Sequence, residues 1–134
     1  VRTDHDPGAP GPELTAFLTE RHLATLTTLR PDGSLHVVPV GFTYQPERRL
    51  ARVITFAPSR KSRNVAARPG GPAVLCQVDG GRWVTIEGIA RLRDDAASNR
   101  EAVERYAARY RTPKDRPDRV TIEIEVTRIL GRVG

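Results

Sequence analysis

The residues best suited to chemistry lie in one stretch, Thr55-Phe56-Ala57-Pro58-Ser59-Arg60-Lys61-Ser62-Arg63-Asn64-Val65. A β-rich run, Leu50 to Phe56, leads into it. Pro58 breaks that run, and a helical segment over Ser59 to Arg68 follows. At a helix start the first backbone N–H groups have no intrahelical partner, and the dipole favours negative charge. Ser59 is a capping residue type, Lys61 brings a point charge, and Asn64 lies within a turn. The pattern suits a phosphate or a carboxylate. It also suits a solvated basic turn between two structural elements, and the stretch alone does not separate the two.

Pro39 is the second candidate, in the middle of the strand-like run Leu35 to Tyr44. Proline cannot donate to a ladder, so the strand must bulge there or lack a partner. Backbone groups around Val38, Pro39, Val40 and Gly41 are then free to face a ligand, although an edge strand that tolerates proline explains the same residue. Cys76 is the sole cysteine, so no intrachain disulfide can form. Its apolar run, Ala73 to Val78, marks it as a small buried hydrophobe. His5, His22 and His36 show no metal-ligand spacing with it, and no metal is expected.

Charge narrows the partners. The net charge is +6, carried almost wholly by arginine, since Lys61 and Lys114 are the only lysines. Arginine's planar fork suits phosphate and carboxylate on small polyanions. The basic residues are scattered, aromatics are 5%, and no nucleic-acid-binding motif is present, so nucleic acid is not an expected partner. No apolar run approaches the roughly 20 residues needed to cross a bilayer, so no membrane association is expected. Residues 1–11 are polar and rich in Pro and Gly, without the apolar stretch of a signal peptide. They read as a flexible N-terminal arm, and the expected compartment is the cytoplasm.

The elements that must position these residues follow from periodicity. Pro12 to Glu20 predicts a short helix with Leu14, Phe17 and Leu18 as its apolar stripe. His22 to Leu29 and Leu35 to Tyr44 predict a hairpin about the turn Arg30-Pro31-Asp32-Gly33. Leu50 to Phe56 is a third strand and Ala73 to Val78 a fourth. Arg82 to Arg93 is a fifth, with Val84, Ile86 and Ile89 on one face and a kink at Gly88. Asp94 or Asp95 caps a helix reaching Tyr110, with Val103, Tyr106, Ala107 and Tyr110 as the buried stripe. Arg119 to Leu130 alternates cleanly as a last strand. About six antiparallel strands and two or three helices, with hairpin connections and no βαβ unit, predict a mainly β (α+β) fold. The expected form is a small barrel with helices outside, in a single domain over residues 12–134. A barrel this small has little room inside, so a ligand would sit outside it, at a seam between two chains.

The order of strands, the Ser59-Arg-Lys61-Ser-Arg-Asn64 segment and Trp83-Val-Thr-Ile-Glu87-Gly88 together resemble the pyridoxamine-phosphate-oxidase-like split β-barrel superfamily. Within it, the sequence is most similar to the biliverdin-reducing members of the actinobacterial branch that uses the deazaflavin coenzyme F-420. The stretches that carry the likeness include Phe17 to Arg30, His36 to Thr43, Ala51 to Thr55, Gln77 to Trp83 and Arg105 to Pro113. The resemblance implies an FMN-binding split-barrel fold and a homodimer with the cofactor at the subunit interface. It implies an oxidoreductase that reduces a tetrapyrrole, biliverdin to bilirubin, by hydride transfer from the reduced deazaflavin. Quinones, enones or simple cofactor or haem binding are the alternatives. It further implies that Ser59, Lys61 and Asn64 hold the cofactor phosphate and that Val38, Pro39, Val40 and Thr55 flank its ring. Gln77 and Trp83 would belong to the cofactor site, Trp83 from the partner chain and bordering the substrate as well, and Arg52 would meet the substrate or the coenzyme's tail. Flavin-using relatives carry a glutamine where this chain has Trp83, which makes FMN the less suited cofactor. No side chain stands out as a general acid.

Overall fold

The computed structural model describes residues 3–134. Twelve elements follow in order: β1 (Asp4–His5), α1 (Pro12–Thr19), β2 (Ala24–Leu29), β3 (Leu35–Val40), β4 (Thr43–Gln45), a 3-10 turn (Pro46–Arg48), β5 (Leu50–Phe56), α2 (Arg60–Ala67), β6 (Gly71–Asp79), β7 (Arg82–Arg93), α3 (Ala96–Arg109) and β8 (Arg119–Arg132). The eight strands form one antiparallel sheet, β3-β2-β6-β7-β8-β5-β4, with β1 added to β8. The fold is mainly β with three helices, as the periodicity predicts, but two strands exceed the expected six. The run Leu35 to Tyr44 is not one strand, because the chain breaks at Gly41-Phe42 and crosses to the far end of the sheet as β4.

The sheet curls but does not close. Its ends, β3 and β4, are consecutive in sequence yet not paired with each other, so the barrel is split there. This explains Pro39. β3 pairs only with β2, and an edge position lets a proline sit without breaking a second ladder.

One core fills the curl. Leu14, Phe17 and Leu18 of α1 are buried, the three residues that the helical spacing selects. They meet Leu26 of β2, Leu75 of β6, Ile86 of β7 and Ile122, Ile124 and Ile129 of β8, all at or near zero exposure. β7 keeps its alternation through Gly88, so Ile89 lies on the half-buried outer side instead of joining Val84 and Ile86. The expected kink is a bulge with its extra residue on β8. Glu87 pairs with Arg128 and Gly88 with Val126, which leaves Thr127 unpaired and resets the inward phase from Val126 to Ile129. At Gly88 an added Cβ would stand 2.2 Å from the Glu125 carbonyl oxygen, so only glycine fits this close strand approach.

Three further expectations are corrected. The arm over residues 1–11 is docked from Thr3 onward. Asp4 and His5 pair with Leu130 and Ile129, the His5 imidazole bonds the Gly131 carbonyl at 3.0 Å, and the Tyr44 hydroxyl donates to the Pro7 carbonyl; Val1 and Arg2 lie outside the described residues. On α3, Ala102 is buried and Tyr110 beyond it is buried, but Val103, Tyr106 and Ala107 are half-buried. The helix lies on the outer side of β5 and β8, so its stripe is rotated from the one read off the sequence. Cys76 is half-buried, because it points to the outer face of β6 beside Thr85.

Candidate functional site

The Thr55–Asn64 stretch folds as its chemistry suggests. β5 ends at Phe56, the chain turns at Pro58, and Ser59 caps α2 by accepting the Ser62 N–H at 3.2 Å. The same Ser59 oxygen accepts the Thr55 hydroxyl at 2.9 Å. Strand end and helix start are thus tied together by one buried oxygen. With both acceptor positions used, the one free function of Ser59 is its own proton.

Beside the split in the sheet, between the end of β3 and the end of β5, lies a cavity of about 480 Å³. Pro39, Val40 and Gly41 form one wall, at the end of β3. Ile54, Thr55 and Phe56 form the other, at the end of β5. Lys61 projects from the first turn of α2, Tyr106 from α3, and the 111–119 loop closes the outside with Arg111, Lys114, Arg116 and Arg119. Gly41 is required for this shape. A Cβ there would sit 2.9 Å from Tyr106 Cε2 and 3.1 Å from Tyr110 Cε2.

The electrostatics are one-sided. Among the described residues, five cationic side chains line the cavity and no carboxylate does. Arg116 is shared with Asp118 at 2.9 Å and lies over the Phe56 ring at 4.2 Å. Lys61 has no acidic partner among the described residues. Its ammonium lies 5.9 Å from the Phe56 ring centre, and burial pushes its pKa below the ordinary lysine value. A desolvated, unneutralised cation is stabilised by an arriving anion.

Of the residues that sequence reading places at the site, the fold brings Pro39, Val40, Thr55 and Lys61 together in this cavity. Val38 does not line the cavity and packs against the core, on the same face of β3 as Val40. Asn64 is buried and donates to the Thr28 hydroxyl at 3.1 Å, while its Oδ1 has no partner among the described residues. Gln77 is buried as a brace, donating to the Phe17 carbonyl at 3.0 Å and accepting from Arg109 at 2.6 Å. Arg52 is buried under α3, donating to Gln45 at 2.9 Å and 3.5 Å from Glu101; it does not line the cavity. Trp83 stands on the outer sheet face, paired with Val78.

Gly41, which sequence reading names with Pro39 and Val40, lines the cavity, and so does Phe56 of the Thr55–Val65 stretch; sequence reading misses Ile54, Tyr106 and the four cations between Arg111 and Arg119. The run Arg111-Thr-Pro-Lys-Asp-Arg-Pro-Asp-Arg119 carries four cations in nine residues. That density was the available signal, but nothing in it says which element it folds against.

This geometry, an open antiparallel sheet with a cation-lined cavity beside its split, is that of a split β-barrel. Residues 11–132 match the family model described as pyridoxamine 5'-phosphate oxidase, and the chain belongs to that family. More particularly, it is 55% identical over 116 residues to a biliverdin reductase of Mycobacterium tuberculosis that depends on reduced coenzyme F-420. That match covers 87% of this chain and 83% of the relative. Among solved structures, an F-420 reductase superposes with a TM-score of 0.66 at 25% identity, covering 85% of this chain and 93% of that one. A conserved hypothetical protein of Mycobacterium tuberculosis superposes at 0.74 with 22% identity, covering 89% and 81%, a likeness of fold.

Proposed function

We propose that the cavity at the split binds the deazaflavin coenzyme F-420 and that the chain uses the reduced coenzyme to convert biliverdin to bilirubin. The observation that carries this reading is the cavity lining. Backbone-rich walls from Pro39 to Gly41 and from Ile54 to Phe56 face each other beneath five cations with no carboxylate. The walls suit a flat ring system, and the cations suit a phosphate with a carboxylate tail. The high identity to a relative named for this coenzyme and substrate supports the choice within the family.

When bound, the reduced coenzyme supplies the hydride for the central methine bridge of the tetrapyrrole. The chain supplies the rest. Lys61 pairs with the phosphate and regains the interaction it lost on burial. Ser59 fixes the turn that aims Lys61, through its bonds to Thr55 and Ser62. Thr55 and the β3 end hold the ring by contact, and positioning is the protein's main contribution. No carboxylate or histidine among the described residues lines this cavity, and the proton for the pyrrole nitrogen comes from water held among its arginines. The reaction needs a steady supply of reduced coenzyme, which under this reading places the chain in the cytoplasm.

Two copies form the working unit in this reading. Leu35, Val37 and Val78 are each more than half exposed. Register puts Val37 beside Thr27, and Leu35 beside Leu29, on the outer face of the sheet that also bears Cys76, Val78 and Trp83. Exposed apolar side chains grouped on one sheet face suit an interface, and an isologous dimer through this face would bring the partner's outer face, Trp83 with it, toward the open side of the cavity.

Titration with coenzyme F-420 and with FMN tests the cofactor. The expected result is binding of F-420 well below the concentration needed for FMN. Preference for FMN would overturn the assignment. Binding of F-420 with reduction of quinones or enones but not biliverdin would keep the coenzyme and replace the substrate.

A further inference from the structure

A second cavity, of about 280 Å³, lies against the first. Arg21, His22 and Leu23, which lead into β2, form one side; Tyr106, Tyr110 and Arg111 form the other. Tyr106 and Arg111 line both cavities, so the two spaces meet at one tyrosine ring and one guanidinium.

The lining has two parts with different chemistry. Its floor is aromatic, with the Tyr106 and Tyr110 rings 4.8 Å apart at a tilt of 35°. Tyr110 is held from behind. Its hydroxyl donates to the His22 carbonyl at 2.6 Å and accepts the Phe42 N–H at 3.1 Å, so the ring is a fixed surface. The rim is cationic. Arg21 is anchored by donating to the Tyr110 carbonyl, and Arg111 has no ion-pair or hydrogen-bond partner among the described residues. The nearby carboxylates do not neutralise either one. Glu20 is held by Arg82 at 2.9 Å and by His22 at 2.8 Å, and Asp79 is also taken by Arg82. Behind the floor, Arg109 is buried on the Glu20 and Phe42 carbonyls and on Gln77 and adds positive potential without offering a free donor.

We infer that this second cavity is the acceptor subsite, and that it takes a conjugated dicarboxylate lying over Tyr106 with its carboxylates on Arg21 and Arg111. The inference rests on the coenzyme occupying the first cavity. Tyr106 then stands at the border between hydride donor and acceptor, and Arg111 holds the acceptor beside it. Arg21 touches the second cavity alone, which makes it the residue that reports on the acceptor without disturbing the coenzyme.

The test compares biliverdin with its dimethyl ester, which keeps the conjugated system and loses both charges. Equilibrium binding of each is measured by absorbance on the full-length protein, followed by KM and kcat with reduced coenzyme. The wild type should prefer biliverdin to the ester. Arg21→Gln should weaken biliverdin binding and raise its KM by roughly 10- to 100-fold, the loss of one charge-assisted contact. It should leave ester binding and coenzyme affinity within about twofold, while Arg21→Lys should restore most of the preference, because what is lost is charge. If Arg21→Gln weakens acid and ester equally, or neither, while the protein still binds coenzyme and reduces biliverdin, the subsite lies elsewhere. If biliverdin is neither bound nor reduced by the wild type, the proposed function falls first.

Discussion

Replacing Lys61 with alanine separates binding from folding more cleanly than any other change in the cavity. Lys61 is half-buried, carries a pKa depressed by desolvation, and has no carboxylate to repay that cost. In the free protein its charge is therefore slightly unfavourable, and Lys61→Ala should leave the melting temperature unchanged or raised. In the complex the same ammonium makes a charge-assisted bond to the phosphate, worth about 1.5–3 kcal/mol. At 1.4 kcal/mol per tenfold, the dissociation constant for coenzyme F-420 should rise roughly 10- to 150-fold. Titration followed by deazaflavin fluorescence, beside a thermal melt of each variant, reads both quantities. Lys61→Arg should keep most of the affinity, since charge and reach remain. Raising ionic strength should narrow the gap between wild type and Lys61→Ala, because the lost contact is electrostatic. An unchanged dissociation constant would remove Lys61 from the anion site. A lower melting temperature with unchanged affinity would make it a structural residue.

Other expectations concern the frame around the cavity. Tyr110→Phe removes the acceptor of the buried Phe42 N–H and should cost about 1–3 kcal/mol of stability, measured by urea unfolding; no loss would mean that water replaces the hydroxyl. The Arg82 and His22 bonds hold the Glu20 carboxyl at a pKa of about 2, below its usual 4.5. A depressed carboxylate stabilises the fold above its unfolded pKa, and the contribution fades as pH falls from about 4.5 to about 2. Glu20→Gln should therefore flatten the acid-unfolding curve across that window and leave the neutral range as its place of greatest loss; an identical pH profile would refute the pairing. Val37→Glu puts a charge into the proposed dimer face, at a cost of about 3–5 kcal/mol if it is buried there. Size-exclusion chromatography with light scattering should show monomer, and a persisting dimer would move the interface elsewhere.

Much of the fold was legible because its signals are local. The alternation of Val120, Ile122, Ile124 and Val126, the Ser59 cap and the Leu14-Phe17-Leu18 stripe each depend on neighbours in sequence, and each appears in the structure. The failures were of long range. Periodicity cannot say which strand of a bulged pair carries the extra residue, so it places Ile89 inward, whereas Thr127 on β8 makes the adjustment. Residues 3–11 look unstructured by composition and are held by partners 126 residues away. At the site, Pro39 and Lys61 declared themselves by residue type. Arg52 and Gln77 have equally suitable types, but one is buried beneath α3 on Gln45 and beside Glu101, and the other is held by Phe17 and Arg109. A side chain's partners decide whether it is free to bind, and they are set by packing. The loop from Arg111 to Arg119 was visible only as a charged segment until β5 and α3 gave it a surface to close.

The most direct measurement mixes the reduced coenzyme complex with biliverdin in an anaerobic stopped-flow cell and follows both absorbances. Bilirubin should appear in step with oxidised coenzyme, one equivalent for each, at a rate that saturates with biliverdin. Oxidation of the coenzyme without bilirubin, or no reaction while a quinone or enone is reduced in the same cell, would contradict the account.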